Sequence, residues 1–381
     1  MRVTFIHTAD LQLGMKAAHA GRAAERVRAE RLEALRRVMA VAVERGAQFV
    51  LIAGDLFEHH AIEPVLVQSA IDALAAPDVP VFILPGNHDV DRPGSVWGHP
   101  GWARHPHLHL LRSQPPVQPC EGVWLFPCPA QPGREDDDPT AWIDANGTDG
   151  IRIGIAHGSL ETLPHDTTGH RISCDAAERS GLDYLALGHW HSTFMLPRPG
   201  GTRVAYSGTP EPSGYDEADS GNVLLVTIAA NGSQPKVEKI AIGRLHWEQR
   251  EHDVRGHGDL PAIRESYETL EPDPDRLMRV RISGLMAPDE ASEIDRIREL
   301  LDARTAAFQL DTSELHLLPQ TNGWLKRLPE GPLRMAAERL AKVAWGEADE
   351  AALPTDGDEP VTPQLAEQAL IELYRHLEGT N

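Results

Sequence analysis

The sequence predicts an α/β protein in which two packed mixed β-sheets are flanked by helices, followed by a small C-terminal α/β capping domain. In the first hundred or so residues, short apolar runs alternate with helical patterns, a βαβαβ order typical of a buried and mostly parallel sheet. Further apolar runs follow with few helices between them, which indicates a second, more antiparallel sheet. A length of 381 residues favours one large domain with a smaller one attached.

The N-terminal elements are recognised from their periodicity. Leu32, Leu35, Met39 and Ala42 recur at three- and four-residue spacing, as on the buried face of a helix, and Gly46 is a suitable helix stop. The strands are continuous apolar runs, as expected for strands that are buried on both faces. The predicted elements are strands at 3–7, 49–53 and 79–84 and helices at 23–45 and 64–75.

The later elements are predicted in the same way, from apolar runs and from the alternation of apolar and polar residues. The strands predicted for the second sheet lie at 123–126, 151–156, 183–187, 204–207 and 223–228. Met278, Val280 and Ile282 alternate with polar residues, which predicts a half-buried strand, and Pro288 opens the next helix. A last amphipathic helix begins near residue 362. We therefore divide the chain into a main domain (1–245), an α/β capping domain (246–345) and an acidic linker with a C-terminal helix (346–381).

Charge and cysteine content exclude several classes of protein. The 36 basic and 57 acidic residues give a net charge of −21, so any nucleic-acid binding must come from a local basic patch or from bound cations. The three cysteines form no CxxC pair, which excludes a disulfide framework and a cysteine zinc site. Because neither a signal-peptide pattern nor a long apolar segment is present, we expect a cytoplasmic protein that does not engage a membrane.

Polar clusters follow five of the predicted strands. The C-terminal ends of parallel strands meet at one edge of a sheet, so three carboxylates, two carboxamides and four histidines are expected to converge. Divalent cations are the natural compensation for such buried groups. The clusters are Asp10-Leu11-Gln12, Gly54-Asp55, Gly86-Asn87-His88-Asp89, His157-Gly158 and Gly188-His189-Trp190-His191.

The donor atoms of these side chains indicate which metal they would bind. Imidazole, carboxylate and carboxamide donors without cysteine suit Mn²⁺, with Fe²⁺ and Zn²⁺ as alternatives. Their number suffices for two ions that share one carboxylate. Such a pair activates a water and neutralises charge on a phosphoryl group during in-line displacement.

The series of motifs resembles that of the calcineurin-like binuclear metallophosphoesterases. Within that superfamily, four segments are most similar to the SbcD-type DNA-repair nucleases: TADLQLG (8–14), GDLF (54–57), LGHWH (187–191) and YSGTPE (206–211). The resemblance covers roughly residues 1–230 in order and spacing, whereas the region after 245 is only loosely similar to the capping domain of these nucleases. It implies the metallophosphoesterase fold and two bound Mn²⁺ ions.

The resemblance also implies a role for each ligand-type residue. The implied ligands are Asp10, Gln12 and His191 for the first metal, Asn87, His157 and His189 for the second, and Asp55 as a bridge between them. His88 would act at the leaving-group oxygen as a general acid or charge stabiliser, with Asp89 orienting its imidazole.

Two positions depart from the family pattern. The family has His where this chain has Gln12, whose carboxamide is a weaker and harder donor, so we expect modest affinity and a preference for Mn²⁺, or a contact through water. SbcD-type exonucleases often carry a His three residues after the bridging Asp, where this chain has Glu58. Both changes are similar to those of stand-alone bacterial manganese-dependent nucleases that cut single strands internally. The expected activity is therefore that of a single-strand DNA endonuclease of DNA repair.

Contacts to DNA are predicted from charge and aromatic character. The start of the first helix is basic, and Arg22 and Arg28 lie nearest the first motif, where they could contact the phosphate backbone. The alternative is a solvated helix face that pairs with glutamates one turn away. Trp190, between two candidate ligands, could stack on a base, and His59 could reach the substrate, although most such loop histidines are surface residues.

Other functions stay open. An SbcD-like exonuclease subunit would dock on an SMC-like ATPase through a C-terminal helical segment, and the short last helix argues against that partner. A phosphomonoesterase or small-nucleotide phosphodiesterase would use the same metals. A non-catalytic scaffold would have lost ligands, yet every motif keeps a residue able to coordinate. The sequence is compatible with a monomer or a homodimer.

Overall fold

The structure is a computed structural model that describes residues 2–129, 133, 137–163, 170–199, 201–230, 232–317, 322–344 and 361–378. Contacts divide the chain into two units, Met1–Trp247 and Glu248–Asn381, and each is described by itself. The predicted acidic linker at 346–360 lies outside the described residues.

The first unit alternates strands and helices at its start and is dominated by strands thereafter. Its helices are α1 (Ala24–Glu44), α2 (Pro64–Ala75) and α3 (Ala176–Arg179). Its strands are β1 (Val3–Thr8), β2 (Phe49–Ala53), β3 (Val81–Leu84), β4 (Leu108–Leu110), β5 (Val117–Cys120), β6 (Val123–Cys128), β7 (Ile151–His157), β8 (Ser159–Leu160), β9 (Arg171–Ile172), β10 (Tyr184–Gly188), β11 (Phe194–Met195), β12 (Val204–Tyr206), β13 (Asn222–Ile228) and β14 (Lys236–Ala241).

The first sheet has six strands in the order β14-β13-β1-β2-β3-β4. β1 to β4 are parallel, whereas β13 is antiparallel to β1 and β14 to β13. Successive side chains point to opposite faces, as the pleat requires. Phe5 and Leu51 therefore face the second sheet, whereas Ile6 and Ile52 pack in the cluster that includes residues of α1 and α2.

The second sheet differs from the prediction. Its order is β11-β12-β10-β7-β6-β5, and the four central strands are parallel, with antiparallel pairing only at the two edges. The expectation of a more antiparallel sheet was therefore wrong, and so was the placement of the strand at 223–228, which is β13 of the first sheet. Parallel pairing requires a crossover. Between β7 and β10 this crossover contains only β8, β9 and the four-residue α3 among its described elements, so the sequence shows no helical periodicity there.

The second unit is a small α/β arrangement. Its strands are β15 (His246–Val254, which begins in the first unit), β16 (Asp273–Met286), β17 (Thr305–Asp311) and β18 (Leu315–Leu317), and its helices are α4 (Asp259–Glu268), α5 (Ser292–Arg304), α6 (Pro332–Ala344) and α7 (Pro363–Glu378). β17 and β18 both pair in parallel with β16. As predicted, Met278, Val280 and Ile282 are buried and alternate with less buried residues.

The ends of two helices in this unit were predicted with different success. α7 begins after Thr362, whose hydroxyl accepts a hydrogen bond from the amide of Leu365 at 3.2 Å. Pro288 opens a short 3₁₀ turn instead of α5 itself, which starts at Ser292. Among the described helices, none combines the length and the apolar character needed to cross a bilayer.

Candidate metal centre

The loops that follow β1, β2 and β10 are joined directly by hydrogen bonds. The amide of Asp10 donates to the carbonyl of Gly54 at 3.1 Å, and the amide of Gln12 donates to the carbonyl of Asp55 at 2.9 Å. From the second sheet, the amide of His189 donates to both carboxylate oxygens of Asp10 at 3.0 Å. The loops of both sheets thus meet at one edge.

Four candidate ligands have positive backbone φ angles, which non-glycine residues rarely adopt. The angles are 56° at Asp10, 44° at Gln12, 52° at Asp55 and 102° at His189, and Ala17 is the one further non-glycine example in the described part of the chain. Such conformations cost about 1–3 kcal/mol each and persist only where the surroundings enforce them. Their concentration in these loops is a signature of a functional site.

Glycine is required where these loops pack on one another. A Cβ atom at Gly86 would lie 2.0 Å from Oδ1 of Asp55, and one at Gly54 would lie 2.1 Å from Nδ1 of His157. Gly54 also has a φ of 93°, which favours glycine. The carboxylate and the imidazole therefore sit directly against backbone.

Asp10, Asp55 and His157 form the centre of the site. One potential ligand atom of each lies within 4.8 Å of the others, and none of the three residues is more than 1% exposed. Nδ1 of His157 is 2.8 Å from the carbonyl oxygen of Ala53, and because a carbonyl only accepts, Nδ1 carries the hydrogen. In the neutral ring, Nε2 then presents its lone pair to Oδ2 of Asp55 at 3.2 Å and to Oδ1 of Asn87 at 2.8 Å.

Three acceptor atoms that face one another require a positive charge between them. Burial alone would lower the pKa of His157, but the charge and the hydrogen bond of Asp55, together with the charge of Asp10, raise it to about 9. Burial raises the pKa of Asp10 to about 6 against the opposing charges of His157 and His191. A proton on His157 meets this demand only in part, and the nitrogen and oxygen donors present fit a divalent cation.

Asn87 and His189 lie next to His157, the residue that the resemblance groups with them as ligands of the second metal. Nδ1 of His189 is 3.2 Å from Oδ1 of Asn87. The rings of His189 and His157 are 5.3 Å apart and inclined at 80°. The structure therefore brings the three implied ligands of that metal together.

Gln12 lies in the loop that follows β1, next to the loop that follows β2. It is 5% exposed, and beyond it Leu13 forms a parallel bridge with Phe57. These backbone contacts hold the loop that carries Asp10 and Gln12 alongside the loop that carries Asp55. Backbone hydrogen bonds thus hold the backbone of Gln12 alongside that of Asp55.

His191 is held by a residue that sequence reasoning missed. Its Nδ1 is 2.8 Å from Oε1 of Glu217, and Glu217 also accepts hydrogen bonds from the amide of Ser213, at 2.7 Å, and from its hydroxyl. Since a carboxylate accepts, Nδ1 carries the hydrogen and Nε2 is the atom left for a metal. Burial would lower the pKa of His191, but the hydrogen bond to Glu217 raises it. Glu217 follows no strand, so no sequence signal marked it.

The predicted role of Asp89 was wrong. Its two carboxylate oxygens accept hydrogen bonds from the amides of Gly86, at 2.7 Å, and Phe57, at 3.0 Å. The imidazole of His88 is held instead by the carbonyl oxygen of Glu58, 2.9 Å from Nδ1. Because its oxygens are used in these bonds, Asp89 stabilises the turn and does not orient the ring. Burial and the charge of Asp55 raise the pKa of Asp89 to about 8.

Two of the basic side chains of α1 make contacts with the rest of the first unit. Arg31 is 2% exposed, and its guanidinium donates to the carbonyl oxygens of Leu11 at 2.8 Å and Asp10 at 3.3 Å. Arg37 pairs with Glu211, which is buried. Arg31 therefore stabilises the first loop, and Arg37 is paired with a buried carboxylate.

The four predicted DNA contacts have different surroundings. Arg22 and Arg28 are exposed, and Arg28 donates to the carbonyl oxygen of Lys16 at 2.9 Å. His59 is exposed as well. Trp190 is half-buried and packs against the hydrophobic cluster on the outer face of the second sheet, so packing accounts for part of its surface.

Comparison with known proteins places these residues in a family. Residues 3–193 match the calcineurin-like phosphoesterases. The chain is 27% identical over 273 residues to YhaO, an uncharacterized metallophosphoesterase of Bacillus subtilis (strain 168), an alignment that covers 66% of this chain and 61% of YhaO. It is 35% identical over 88 residues to the DNA double-strand break repair protein Mre11 of Archaeoglobus fulgidus, which covers 22% of this chain and 19% of that protein.

Among solved structures, TT1561 of Thermus thermophilus has a TM-score of 0.39 and 14% identity, covering 62% of this chain and 99% of that one. The chain spans less than two thirds of the length of either relative named above. The family match extends over half of the chain and includes the ligand-bearing loops from Asp10 to His191. On this match, the chain belongs to the calcineurin-like phosphoesterase family.

Proposed function

We propose that this protein is a Mn²⁺-dependent DNA nuclease of DNA repair that cuts single strands internally. Membership of the family supports the broader statement that it is a metal-dependent phosphoester hydrolase. The observation that carries the proposal is the buried convergence of acceptor atoms from Asp55, Asn87 and His157, because a cation held there would lie where a phosphodiester must bind.

The donor set fits two divalent cations. In this proposal Asp10, Gln12 and His191 would hold the first cation, Asn87, His157 and His189 would hold the second, and Asp55 would serve both. Such a pair, when bound, supplies a water of lowered pKa and neutralises the charge that develops on the phosphoryl oxygens. Nitrogen and hard oxygen donors favour Mn²⁺ over softer metals.

His88 is placed to act on the leaving group. Its Nδ1 donates to the carbonyl of Glu58, so Nε2 is the nitrogen that gains or loses a proton. Nε2 lies 4.0 Å from Oδ2 of Asp55, and the side chain is 38% exposed. A protonated Nε2 can therefore reach a substrate at the centre and donate its proton to the departing oxygen.

Two observations support a nucleic-acid substrate and internal cleavage. One of the relatives is named a DNA double-strand break repair protein, although the alignment with it is short. Glu58 occupies the position at which SbcD-type exonucleases often carry a His. The second observation favours an endonuclease over an exonuclease.

Closed circular single-stranded DNA tests this proposal, since a circle has no end for an exonuclease to enter. Incubation with the protein and Mn²⁺ is expected to yield linear and then shorter strands on a denaturing gel. The variant Asp55→Asn, purified in parallel, should leave the circle intact, which controls for contaminating nucleases. A circle that survives the wild-type protein would overturn the assignment.

A small phosphoester is the second candidate substrate. The net charge of −21 disfavours a polyanionic substrate and favours a small one, which needs no extended binding surface. Rapid turnover of a phenyl phosphate monoester together with an intact DNA circle would assign a phosphomonoesterase instead.

A further inference from the structure

We propose that His19, Tyr215 and Trp247 form a base-stacking subsite for single-stranded DNA beside the first metal position. This aromatic subsite rests on the proposed nuclease function and adds the means by which a single strand is recognised. It lies wholly within the first unit.

Trp247 contacts the rings of both His19 and Tyr215, and none of the three belongs to the described hydrophobic clusters. The ring of His19 stacks on that of Trp247 with centroids 5.3 Å apart and planes inclined at 29°, and Tyr215 meets Trp247 edge to face at 4.9 Å. His19 is exposed, and Tyr215 and Trp247 are only half-buried. Partly exposed aromatic rings of this kind can stack on a flat, apolar ligand.

One short segment joins the aromatic subsite to the metal centre. Nε2 of His19 is 2.7 Å from the carbonyl oxygen of Ser213, to which it donates, and the indole N–H of Trp247 donates to the carbonyl of Pro212 at 3.0 Å. The amide of Ser213 in turn donates to Glu217, which holds His191. His19 is therefore three direct contacts away from a candidate ligand.

The segment around His19 is positively charged and therefore complements the negative charge of a DNA backbone. The segment from Lys16 to Arg28 carries four basic residues and one acidic residue in a chain whose net charge is −21. Arg28 and Lys16 are both exposed and are joined by a hydrogen bond of 2.9 Å. Positive charge beside an aromatic platform is the arrangement that binds single strands without regard to sequence.

The chemistry of the subsite selects single strands over duplexes. The bases of a duplex are stacked on one another and offer no free face, whereas a single strand can place a base on the ring of His19. A phosphodiester bound at the candidate metal centre would bring a neighbouring base to the aromatic subsite. The subsite would therefore confer the strand preference that the metal ligands alone do not provide.

Binding of two oligonucleotides tests the subsite without relying on cleavage. Fluorescence anisotropy with Ca²⁺ in place of Mn²⁺ would compare a 12-residue oligothymidylate with an abasic strand of the same length. The wild-type protein should prefer the strand that has bases. His19→Ala and Tyr215→Ala should weaken oligothymidylate binding about 5- to 100-fold and abolish most of the preference.

His109 provides a matched control. It is also an exposed histidine stacked on an aromatic ring, 4.6 Å from Phe82, but it belongs to the edge strand β4. His109→Ala should leave both affinities unchanged. Trp247→Phe, which keeps a ring at the centre of the cluster, should retain most of the preference and guards against misfolding of a more severe variant.

The outcomes separate the two proposals. An unchanged preference in His19→Ala and Tyr215→Ala, or an equal loss for both oligonucleotides, would overturn the aromatic subsite even if the DNA circle is cut. Binding that depends on bases and on His19, together with an uncut circle, would support the subsite and overturn the nuclease assignment alone.

Discussion

Backbone carbonyl oxygens determine which ring nitrogen of His157 and of His88 faces the candidate metal centre. Ala53 accepts from Nδ1 of His157, and Glu58 accepts from Nδ1 of His88. Each bond leaves Nε2 for the metal or the substrate. The sequence predicted the imidazoles but not the carbonyl groups, because a carbonyl is present at every position and only the folded backbone aims it.

Glu217 is expected to tune the first metal position. Glu217→Ala removes the acceptor that fixes the ring of His191, so Mn²⁺ affinity at this position should fall about 10- to 100-fold while the second position is spared. A Mn²⁺ titration followed by electron paramagnetic resonance measures both. Asp216→Ala, an exposed acid of the same loop, is the control. Equal affinities in wild type and Glu217→Ala would contradict this role.

The candidate ligands of the first sheet lie in irregular loops that begin where β1, β2 and β3 end. Their positive φ angles at Asp10 and Asp55 turn the side chains toward a shared point, and the hydrogen bonds between loops stabilise that geometry. Arg31 supports the first of these loops from α1. The helix therefore contributes one buried arginine to the site, whereas Arg22 and Arg28, the basic residues predicted to contact DNA, are exposed.

The substitution Gly86→Ala tests how closely the loops after β2 and β3 approach each other. Gly86→Ala would place a Cβ atom 2.0 Å from Oδ1 and 2.5 Å from the amide nitrogen of Asp55, so the carboxylate must move. We expect phosphoesterase activity and Mn²⁺ binding both to fall at least tenfold. Gly98→Ala, where the added Cβ meets nothing within 4 Å, should change neither. Near-normal activity of Gly86→Ala would show that the loops are more compliant than described.

The two sheets of the first unit are joined by a buried histidine. His7 of β1 lies 3.0 Å from the hydroxyl of Tyr184 and 3.1 Å from the carbonyl oxygen of Leu187, both in β10. Complete burial lowers its pKa to about 3, against a small opposing effect of the carbonyl. The imidazole is thus neutral in the folded protein over a pH range in which the unfolded chain is protonated.

Stability should therefore fall as the pH decreases. Between about pH 6.5 and pH 3 the unfolded state binds a proton that folded His7 does not, so this residue alone costs up to about 1.4 kcal/mol per pH unit. Urea unfolding at pH 7, 6 and 5 should show the stability difference between wild type and His7→Gln shrinking with acidity. A constant difference for His7→Gln would refute the argument.

Metal binding should stabilise the first unit because the ligands come from both sheets. Asp10 and Asp55 follow strands of the first sheet, and His157 and His189 follow strands of the second. Mn²⁺ at one hundred times its Kd contributes about 2.7 kcal/mol, which corresponds to a rise in Tm of roughly 5–10 °C.

Calorimetry with Mn²⁺ and with a chelator measures this shift. Asp55→Asn should lose most of it, whereas Asp78→Asn, at an exposed position, should keep it. A full shift in Asp55→Asn would mean that the metal binds elsewhere. Since the bridging carboxylate is shared in our proposal, its loss should affect both metal positions.

The amino-acid sequence was sufficient for the succession β1, α1, β2, α2 and β3 at the start of the first unit, for the α/β class and for the loops that carry Asp10, Asp55, Asn87, His157, His189 and His191. These follow from local periodicity and from the rule that parallel strands end at one edge. Folding in three dimensions was needed to show that β13 joins the first sheet, that the centre of the second sheet is parallel, and that Glu217 and the carbonyl of Glu58 orient the histidines. Strand pairing and hydrogen bonds between distant residues depend on contacts that no local pattern records, because their energy is gained only when the chain has closed on itself.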